Sequence, residues 1–209
     1  MMKNVLLIGD SIRLGYEKRV AELLGSNVNV YSPKENCRFT KNALWGMHAW
    51  MEAFGNPKID VGHFNAGIWD LHRCTADGQL FSSQEEYARD IRRLAVQMQS
   101  YTDNVIFANI IPGGKGLDEG AKLNALINTD SDFVKSYLCA PMDEWNRDVS
   151  KYNQISEAVM AKMGIPVNDM YSAILADTEK YISKDGIHPT TEGYELLARM
   201  TADRIEEML

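Results

Sequence analysis

Residues 5–11 read VLLIGDS, which is a short apolar run followed by a turn that presents a serine. An unbroken apolar run of this length is typical of a strand buried on both faces, as in a parallel sheet. Residues 12–24 then read as a helix, so Ser11 is expected at a helix N-terminus. Unpaired N–H groups and the helix dipole favour negative charge there, which suits a nucleophile whose attack creates an oxyanion. An ordinary helix cap formed by Asp10 and Ser11 is the alternative interpretation.

Further apolar segments alternate with helical patterns along the chain. Strands are predicted at residues 5–8, 28–31, 59–65, 105–111 and 165–167. One predicted helix follows a capping box within residues 82–86, a second ends before Gly164, and a third begins near Thr190. Strands that alternate with helices in this way predict an α/β sandwich with right-handed crossovers.

Composition narrows the class of protein. The 209 residues include 22 Lys+Arg and 29 Asp+Glu, which give a net charge of −7. This length predicts one domain over residues 1–209, and the negative charge argues against nucleic acid or an anionic membrane as a partner. The three scattered cysteines lack a CxxC pattern and indicate neither a disulfide framework nor a zinc site. Because the sequence contains neither a membrane-spanning run nor a signal-peptide core, it predicts a cytoplasmic protein.

Residues 112–143 form the one long irregular stretch, and it opens with PGGKG at residues 112–116. A loop of this size at the end of a strand is expected to be a lid or a pocket wall. A subunit contact or a surface excursion is the alternative. The glycines do not form a phosphate loop, since the GK[ST] ending and the strand–loop–helix frame are missing.

Near the other end of the chain, residues 183–190 read SKDGIHPT and precede the last helix. Asp185 lies three residues before His188, so one tight turn lets the carboxylate accept a hydrogen bond from one ring nitrogen. The other ring nitrogen then faces outward as a base, which is the arrangement that nucleophilic catalysis requires. A surface turn with a solvated aspartate and a helix-capping histidine is the alternative.

The two ends of the chain together resemble the SGNH (GDSL-like) hydrolase superfamily. The resemblance rests on GDS at residues 9–11 and on DGIHP at residues 185–189, followed by the last helix. It implies a three-layer α/β/α sandwich with a five-stranded parallel sheet, of the flavodoxin-like type. It also implies ester hydrolysis without a metal or an organic cofactor, with Ser11 as nucleophile, His188 as general base and Asp185 as its orienting partner.

Two middle blocks depart from the family pattern. Where the family has a glycine that donates a backbone N–H to the oxyanion, residues 35–40 read ENCRFT, so Cys37 or Arg38 is expected to supply that N–H. Residues 64–71 read FNAGIWDL, which places Trp69 where the family has its oxyanion asparagine. Asn65 is the nearest amide that can replace it, with a structural role in the loop as the alternative. The predicted oxyanion hole therefore consists of Ser11, Arg38 and Asn65.

Asp10, Gly67 and Trp69 are expected to line the substrate site. Two other tryptophans, Trp45 and Trp50, follow a helical pattern that favours core packing. The set His63, Asp70 and His72 was weighed as metal ligands, but it has no fixed ligand spacing, and no metal is predicted.

The resemblance implies a serine esterase or acylhydrolase that cleaves a small polar acyl ester, for example an O-acetylated carbohydrate, through an acyl-enzyme. A lysophospholipase or a thioesterase is the alternative within the superfamily. Outside it, the alternatives are a glycan-binding domain that has lost catalysis and a flavodoxin-type phosphate-binding domain, although residues 12–14 lack the glycines for the latter. With His188 as base, kcat/KM is expected to fall through a single ionisation on the acidic side. The oligomeric state is not predicted.

Overall fold

A computed structural model describes residues 2–74, 76–119 and 137–209. Its strands are β1 (Lys3–Ile8), β2 (Val28–Tyr31), β3 (Val61–Asn65), β4 (Arg73–Cys74), β5 (Val105–Ala108), β6 (Tyr137–Leu138) and β7 (Val167–Asn168). The helices that lie wholly within these ranges are α1 (Ser11–Leu24), α2 (Thr40–Ala53), α3 (Gln84–Gln99), α4 (Met142–Met163), α5 (Met170–Leu175), α6 (Thr178–Tyr181) and α7 (Thr191–Glu206).

A five-stranded parallel sheet forms the centre of the fold, with strand order β2-β1-β3-β5-β7. This confirms five strands in the predicted order, with different bounds. β1 begins at Lys3 rather than at residue 5, β3 begins at Val61 rather than at residue 59, and β5 ends at Ala108 rather than at residue 111. β7 is Val167–Asn168, whereas residues 165–167 were predicted. The chain moves outward from β1 to β2 and then returns to β3 on the other side of β1. In such sheets the loops after the strands part at this point and leave a crevice at the carboxyl edge.

Helices form the outer layers of the sandwich. α1 packs against α7, whereas α2, α3 and α4 pack one against the next. The three-layer α/β/α arrangement with a five-stranded parallel sheet confirms the predicted fold class.

The ends of three helices lie where the sequence predicts them. Ser83 begins α3 with a capping box, because its hydroxyl accepts from the N–H of Glu86 while the Glu86 carboxylate accepts from the N–H of Ser83. Gly164 ends α4 in the left-handed region, with φ of 68°. Thr190 caps α7 by accepting from the N–H of Gly193.

The apolar core lies on both faces of the central strands. Leu6, Leu7 and Ile8 of β1 are wholly buried. On β3 and β5, the rings of Phe64 and Phe107 pack with centroids 5.1 Å apart. Burial on both faces explains why these strands read as unbroken apolar runs rather than alternating ones.

The two tryptophans of α2 have different environments. Trp50 is buried as predicted, and its indole N–H donates to Glu35 Oε1 at 2.6 Å. The prediction that Trp45 packs in the core is wrong, because its side chain is 86% exposed. The buried face of α2 includes Ala43 and Met47, and position 45 falls on the opposite side of the helix.

The predicted insertion at residues 112–143 is shorter by two residues, since α4 begins at Met142. The lid, pocket wall or subunit contact is predicted for residues 112–143, and residues 120–136 of this stretch lie outside the described residues. After that segment, β6 pairs antiparallel with β4. Within the described ranges, no helix combines the length and the apolar character that crossing a membrane requires.

Candidate active site

Ser11 is the first residue of α1 and follows the turn that ends β1. Asp10 caps this helix, because its Oδ1 accepts from the N–H of Ile12 at 2.9 Å. The serine therefore lies at the carboxyl edge of the sheet and at the N-terminus of a 14-residue helix. Negative charge on a reacting oxygen is favoured at such a position.

The structure brings Ser11, His188 and Asp185 into one hydrogen-bonded chain. Ser11 Oγ lies 2.9 Å from His188 Nε2, although the two residues are 177 positions apart. His188 Nδ1 lies 2.7 Å from Asp185 Oδ2. A ring that carries its proton on Nδ1 donates to this carboxylate and leaves Nε2 to accept the serine proton. The arrangement has the geometry of a nucleophile, a base and an orienting group.

Asp185 is held by hydrogen bonds from its own loop. Its Oδ1 accepts from the hydroxyl of Ser183 at 2.9 Å and from the N–H groups of Ile187 at 2.8 Å and His188 at 2.9 Å. Burial pushes the pKa of Asp185 upward, but the hydrogen bonds outweigh it and hold the pKa below its ordinary value. The carboxylate facing the imidazole is therefore ionised at neutral pH.

Residues 113–116, which we call the glycine brace, pack backbone against backbone on the Asp185 loop. The N–H of Gly114 donates to the carbonyl of Gly186 at 2.8 Å. A Cβ on Gly116 would lie 2.1 Å from the carbonyl oxygen of Lys184, so a larger residue there would displace one of the two segments. The described start of the predicted insertion thus supports the loop that carries Asp185.

Asn65 ends β3 and lies over the turn that leads to Ser11. Its Nδ2 donates to Asp10 Oδ2 at 3.0 Å. A Cβ on Gly9 would lie only 2.0 Å from Asn65 Oδ1, so the side chain fits over this turn because residue 9 is a glycine. The amide predicted to replace the family asparagine is therefore beside the serine turn.

Asp10 itself is an unusual carboxylate, since it is only 1% exposed. Burial raises the pKa of Asp10 to about 6, against the hydrogen bonds from Ile12 and Asn65 and the charges of Arg13 and His188. Asp10, which is predicted to line the substrate site, directly precedes Ser11 and lines the small cavity at the carboxyl edge of the sheet. Its carboxylate, however, faces Asn65 and the helix start.

The structure does not support Arg38 as an oxyanion donor. Arg38 has φ of 54°, in the left-handed region, and its N–H donates to Asn36 Oδ1 at 2.8 Å. The N–H of Cys37, which the sequence left as the other choice, donates to the carbonyl of Gly9 at 3.2 Å. Both backbone donors are thus already used to hold the β2–α2 loop in place.

Sequence analysis missed Arg13, whose guanidinium is wholly buried beneath the serine turn. It donates to the carbonyl oxygens of Gly9 at 3.2 Å, Pro33 at 2.8 Å and Glu35 at 2.7 Å, and it pairs with Glu17. These bonds tie the loop after β2 to the turn after β1, and they compensate the buried charge. The spacing of Arg13 and Glu17 at i and i+4 was the available signal, but it is equally typical of an exposed helix face.

Gly67 and Trp69, both predicted to line the substrate site, lie in the loop after β3. Gly67 has φ of 137°, and a Cβ there would lie 2.5 Å from Ile110 Cδ1, so backbone conformation and packing account for the glycine. Trp69 is partly buried and stacks on His72 with ring centroids 5.2 Å apart. His72 in turn meets Trp145 at 5.4 Å. Trp69 therefore belongs to an aromatic cluster rather than standing alone.

Asp70 connects two helices to the loop after β3. It accepts from the N–H and hydroxyl of Thr40 at 3.0 and 2.7 Å and from the hydroxyl of Ser82 at 2.6 Å. These bonds occupy the carboxylate that was weighed as a metal ligand with His63 and His72. In the described parts of the chain, no group of three or more His, Cys, Asp or Glu residues could hold a metal ion.

A small cavity of about 10 Å³, with room for roughly one water molecule, lies at the carboxyl edge of the sheet, above β1, β3 and β5. Asp10 and Asn65 contribute polar atoms to its wall. Most of the lining is apolar, and the remaining lining residues are Ile12, Ala66, Ile68, Asn109, Ile110, Ile111 and Met170.

Comparison with known proteins identifies the fold. No protein-family model matches the sequence, and no curated protein matches it. Among solved structures, a lipase/acylhydrolase from Enterococcus faecalis aligns with a TM-score of 0.72 and 18% identity, over 99% of this chain and 96% of that one. A GDSL-like lipase from Bacteroides thetaiotaomicron aligns with a TM-score of 0.68 and 18% identity, over 99% and 89%. An acetylxylan esterase from Geobacillus stearothermophilus, solved as a catalytic mutant, aligns with a TM-score of 0.71 and 16% identity, over 97% and 94%.

These likenesses agree with the observed architecture. The chain is a doubly wound α/β/α sandwich. More narrowly, it has the fold of the SGNH and GDSL-like hydrolases, which confirms the fold expected from the two terminal motifs.

Proposed function

We propose that this protein is a serine ester hydrolase in which Ser11 is the nucleophile, His188 the general base and Asp185 the orienting group. The observation that carries this proposal is the hydrogen-bonded chain from Ser11 Oγ to His188 at 2.9 Å and from His188 to Asp185 at 2.7 Å. The SGNH-hydrolase fold supports it, since solved structures with that fold include lipases and an acetylxylan esterase.

In the first half of the reaction, Ser11 Oγ attacks the ester carbonyl carbon while His188 Nε2 takes the hydroxyl proton. The ionised Asp185 holds the ring in the productive tautomer and stabilises the positive charge that the ring gains. When the tetrahedral intermediate collapses, His188 returns the proton to the departing alcohol, and the acyl group remains on Ser11.

The negative charge on the carbonyl oxygen needs hydrogen-bond donors. We assign this role to the N–H of Ser11, at the N-terminus of α1, and to the side-chain amide of Asn65 over the same turn. Losing one such donor typically lowers kcat by about 10²–10³-fold. In the second half, a water attacks the acyl carbon while His188 Nε2 takes its proton, and His188 then gives that proton to Ser11 Oγ as the bond from Ser11 to the acyl carbon breaks and the acid is released.

We infer that the acyl group is small. The cavity beside Asp10 and Asn65, at about 10 Å³, has room for roughly one water molecule and is far smaller than ordinary ligand sites, which occupy about 300–1,000 Å³. Its apolar lining suits a short hydrocarbon rather than a charged group. Acetyl or similarly short esters of a polar alcohol, such as a carbohydrate, fit this chemistry.

A series of p-nitrophenyl esters, from acetate to longer chains, tests the proposal with wild type and Ser11→Ala. Wild type is expected to hydrolyse the short esters best, and Ser11→Ala to lose at least about 10³-fold in kcat. Incubation with a slowly hydrolysed ester followed by peptide mapping is expected to locate the acyl group on Ser11. Ser150→Ala, on α4, is the matched control and keeps wild-type rates.

Two results contradict the proposal. Hydrolysis that survives Ser11→Ala removes Ser11 as nucleophile. No turnover of any ester, together with saturable binding of a glycan, instead supports the non-catalytic binding domain.

A further inference from the structure

The buried carboxylate of Asp10 has no part in the proton transfers described above. Asp10 is 1% exposed and lies between the end of β1 and Ser11. Its two oxygens have different partners: Oδ1 accepts from the N–H of Ile12 at 2.9 Å, and Oδ2 accepts from Asn65 Nδ2 at 3.0 Å. The first bond explains the start of α1. The second ties the carboxylate to the side chain that we assign to the oxyanion.

An ionised carboxylate decides which end of a neighbouring amide faces it. It offers acceptors only, so it binds the nitrogen of Asn65 and repels the carbonyl oxygen. In the structure, Asn65 Oδ1 indeed faces away from Asp10, lies over Gly9 and has no hydrogen-bond partner among the described residues. One hydrogen of Asn65 Nδ2 is directed to Asp10, and the second hydrogen on the same nitrogen stays available as a donor.

We propose that Asp10 is a positioning residue, which fixes the amide of Asn65 so that the second hydrogen of Nδ2 faces the oxyanion of the reaction. This inference rests on the proposed function, because it requires an oxyanion beside Ser11. Register supports it, since Ile8 lies opposite Phe64 in the parallel pair of β1 and β3, which brings the residues following these strands side by side.

The electrostatic surroundings make this arrangement sensitive to pH. Five titratable groups interact with Asp10. Arg13 and Tyr16 lie on α1, Tyr194 lies on α7, Cys37 lies in the loop after β2, and His188 lies in the loop before α7. Burial outweighs the two hydrogen bonds and the positive charges of Arg13 and His188, and it raises the pKa of Asp10 to about 6. A protonated Asp10 becomes a hydrogen-bond donor, which permits the amide of Asn65 to turn its oxygen toward it.

On the acidic side of the pH–rate profile, two protonations rather than one are therefore expected to lower the rate. Both the protonation of His188 and that of Asp10 lower kcat/KM as the pH falls. In wild type, the slope of log(kcat/KM) against pH on the acidic side is therefore expected to exceed one. In Asp10→Asn the slope is expected to return to one. Asp60→Asn is the matched control: Asp60 also accepts a backbone N–H, from Asn4 at 2.8 Å, but it precedes β3 at the opposite edge of the sheet.

Asp10→Asn is also expected to lower kcat at neutral pH. The N–H of Ile12 holds the new Oδ1, so the new NH₂ group faces Asn65 and draws the Asn65 oxygen toward itself. The amide is then reversed, and kcat should fall by about 10²-fold, as for the loss of one oxyanion donor, with a smaller change in KM. Asp10→Ser is a second variant, since serine still caps the helix but does not orient the amide.

A double-mutant cycle separates positioning from a general structural effect. If Asp10 acts through Asn65, then Asp10→Asn combined with Asn65→Ala should be no slower than Asn65→Ala alone, within about threefold. Thermal unfolding of each variant checks that it is folded.

Additive losses, or a one-proton acidic limb in wild type, overturn the proposal. Activity that survives Ser11→Ala removes the proposed function itself, whereas loss in Ser11→Ala with an unaffected Asp10→Asn removes only the role of Asp10.

Discussion

The two carboxylates beside the Ser11–His188 pair are held in opposite ways. Asp185, whose side chain is 50% exposed, accepts hydrogen bonds on both oxygens, which outweigh its partial burial and hold its pKa below the ordinary value. Asp10, at 1% exposed, has only two such bonds, and burial raises its pKa to about 6. The charge of a carboxylate therefore depends on the number of hydrogen-bond donors and the access of water, and not on the residue type alone.

The largest expected effect belongs to Asp185. Asp185→Asn keeps the shape of the side chain but removes the charge that favours the Nδ1–H tautomer of His188. We expect kcat for a short ester to fall by about 10⁴-fold with no change in the circular dichroism spectrum. A loss below about tenfold would show that this carboxylate does not orient the imidazole.

The glycine brace gives the next largest effect. In Gly116→Ala the added Cβ collides with the carbonyl of Lys184 and shifts the loop that carries Asp185 and His188. Because a displacement of about 1 Å can cost about 10²-fold in rate, we expect kcat to fall by that order while KM changes little. Gly62→Ala is the control, since a Cβ there first meets the flexible end of Met98. Equal rates in both variants would show that the brace is not needed.

The pH dependence of the free energy of unfolding tests the burial of the Asp10 carboxylate. The pKa of Asp10 is raised from 3.8 to about 6 on folding, so the folded chain binds this proton more tightly than the unfolded one. Wild type therefore loses stability as the pH rises through this window, and the loss is complete above about pH 6. Asp10→Asn has no such titration and should gain up to roughly 3 kcal/mol relative to wild type between about pH 4 and pH 8.

Urea unfolding of both proteins at the two pH values measures this difference. A variant that loses stability relative to wild type as the pH rises contradicts the burial argument. Together with the activity test, the expected result is a variant that is slower and yet gains stability relative to wild type as the pH rises from about 4 to neutral.

The smallest effect concerns a side chain within the brace. Lys115 and Glu179 form an ion pair that is well exposed on both sides. Exposed pairs of this kind contribute little, so Lys115→Ala should match wild type in thermal midpoint and in kcat. A substantial loss of activity would show that the glycine brace acts through the Lys115 charge rather than through its backbone packing.

Local sequence predicts the parts of the site that lie within a few residues of each other. Asp185 and His188 share one turn, and Ser11 directly follows a buried strand, so their pattern is visible without a structure. Apolar runs and capping residues similarly predict the strands, the order of helices and the start of α3 at Ser83.

Contacts between distant segments were not predictable from the residues alone. A charged Arg13 on a helix reads as an exposed residue, and only the fold shows the three carbonyl oxygens, from the turn after β1 and the loop after β2, that surround it. Trp45 follows the same apolar pattern as Trp50, but the turn of α2 places it outside. The N–H of Arg38 donates to Asn36 Oδ1, and Arg38 has a left-handed backbone conformation. An arginine in the sequence does not predict that conformation.

The separation of Ser11 and His188 by 177 positions has a consequence for synthesis in the cell. A ribosome makes the serine turn 177 residues before the histidine turn, so a growing chain for a time contains a hydroxyl with no base to activate it. Chemistry that needs both groups begins only after α7, which follows the histidine turn, has packed against α1.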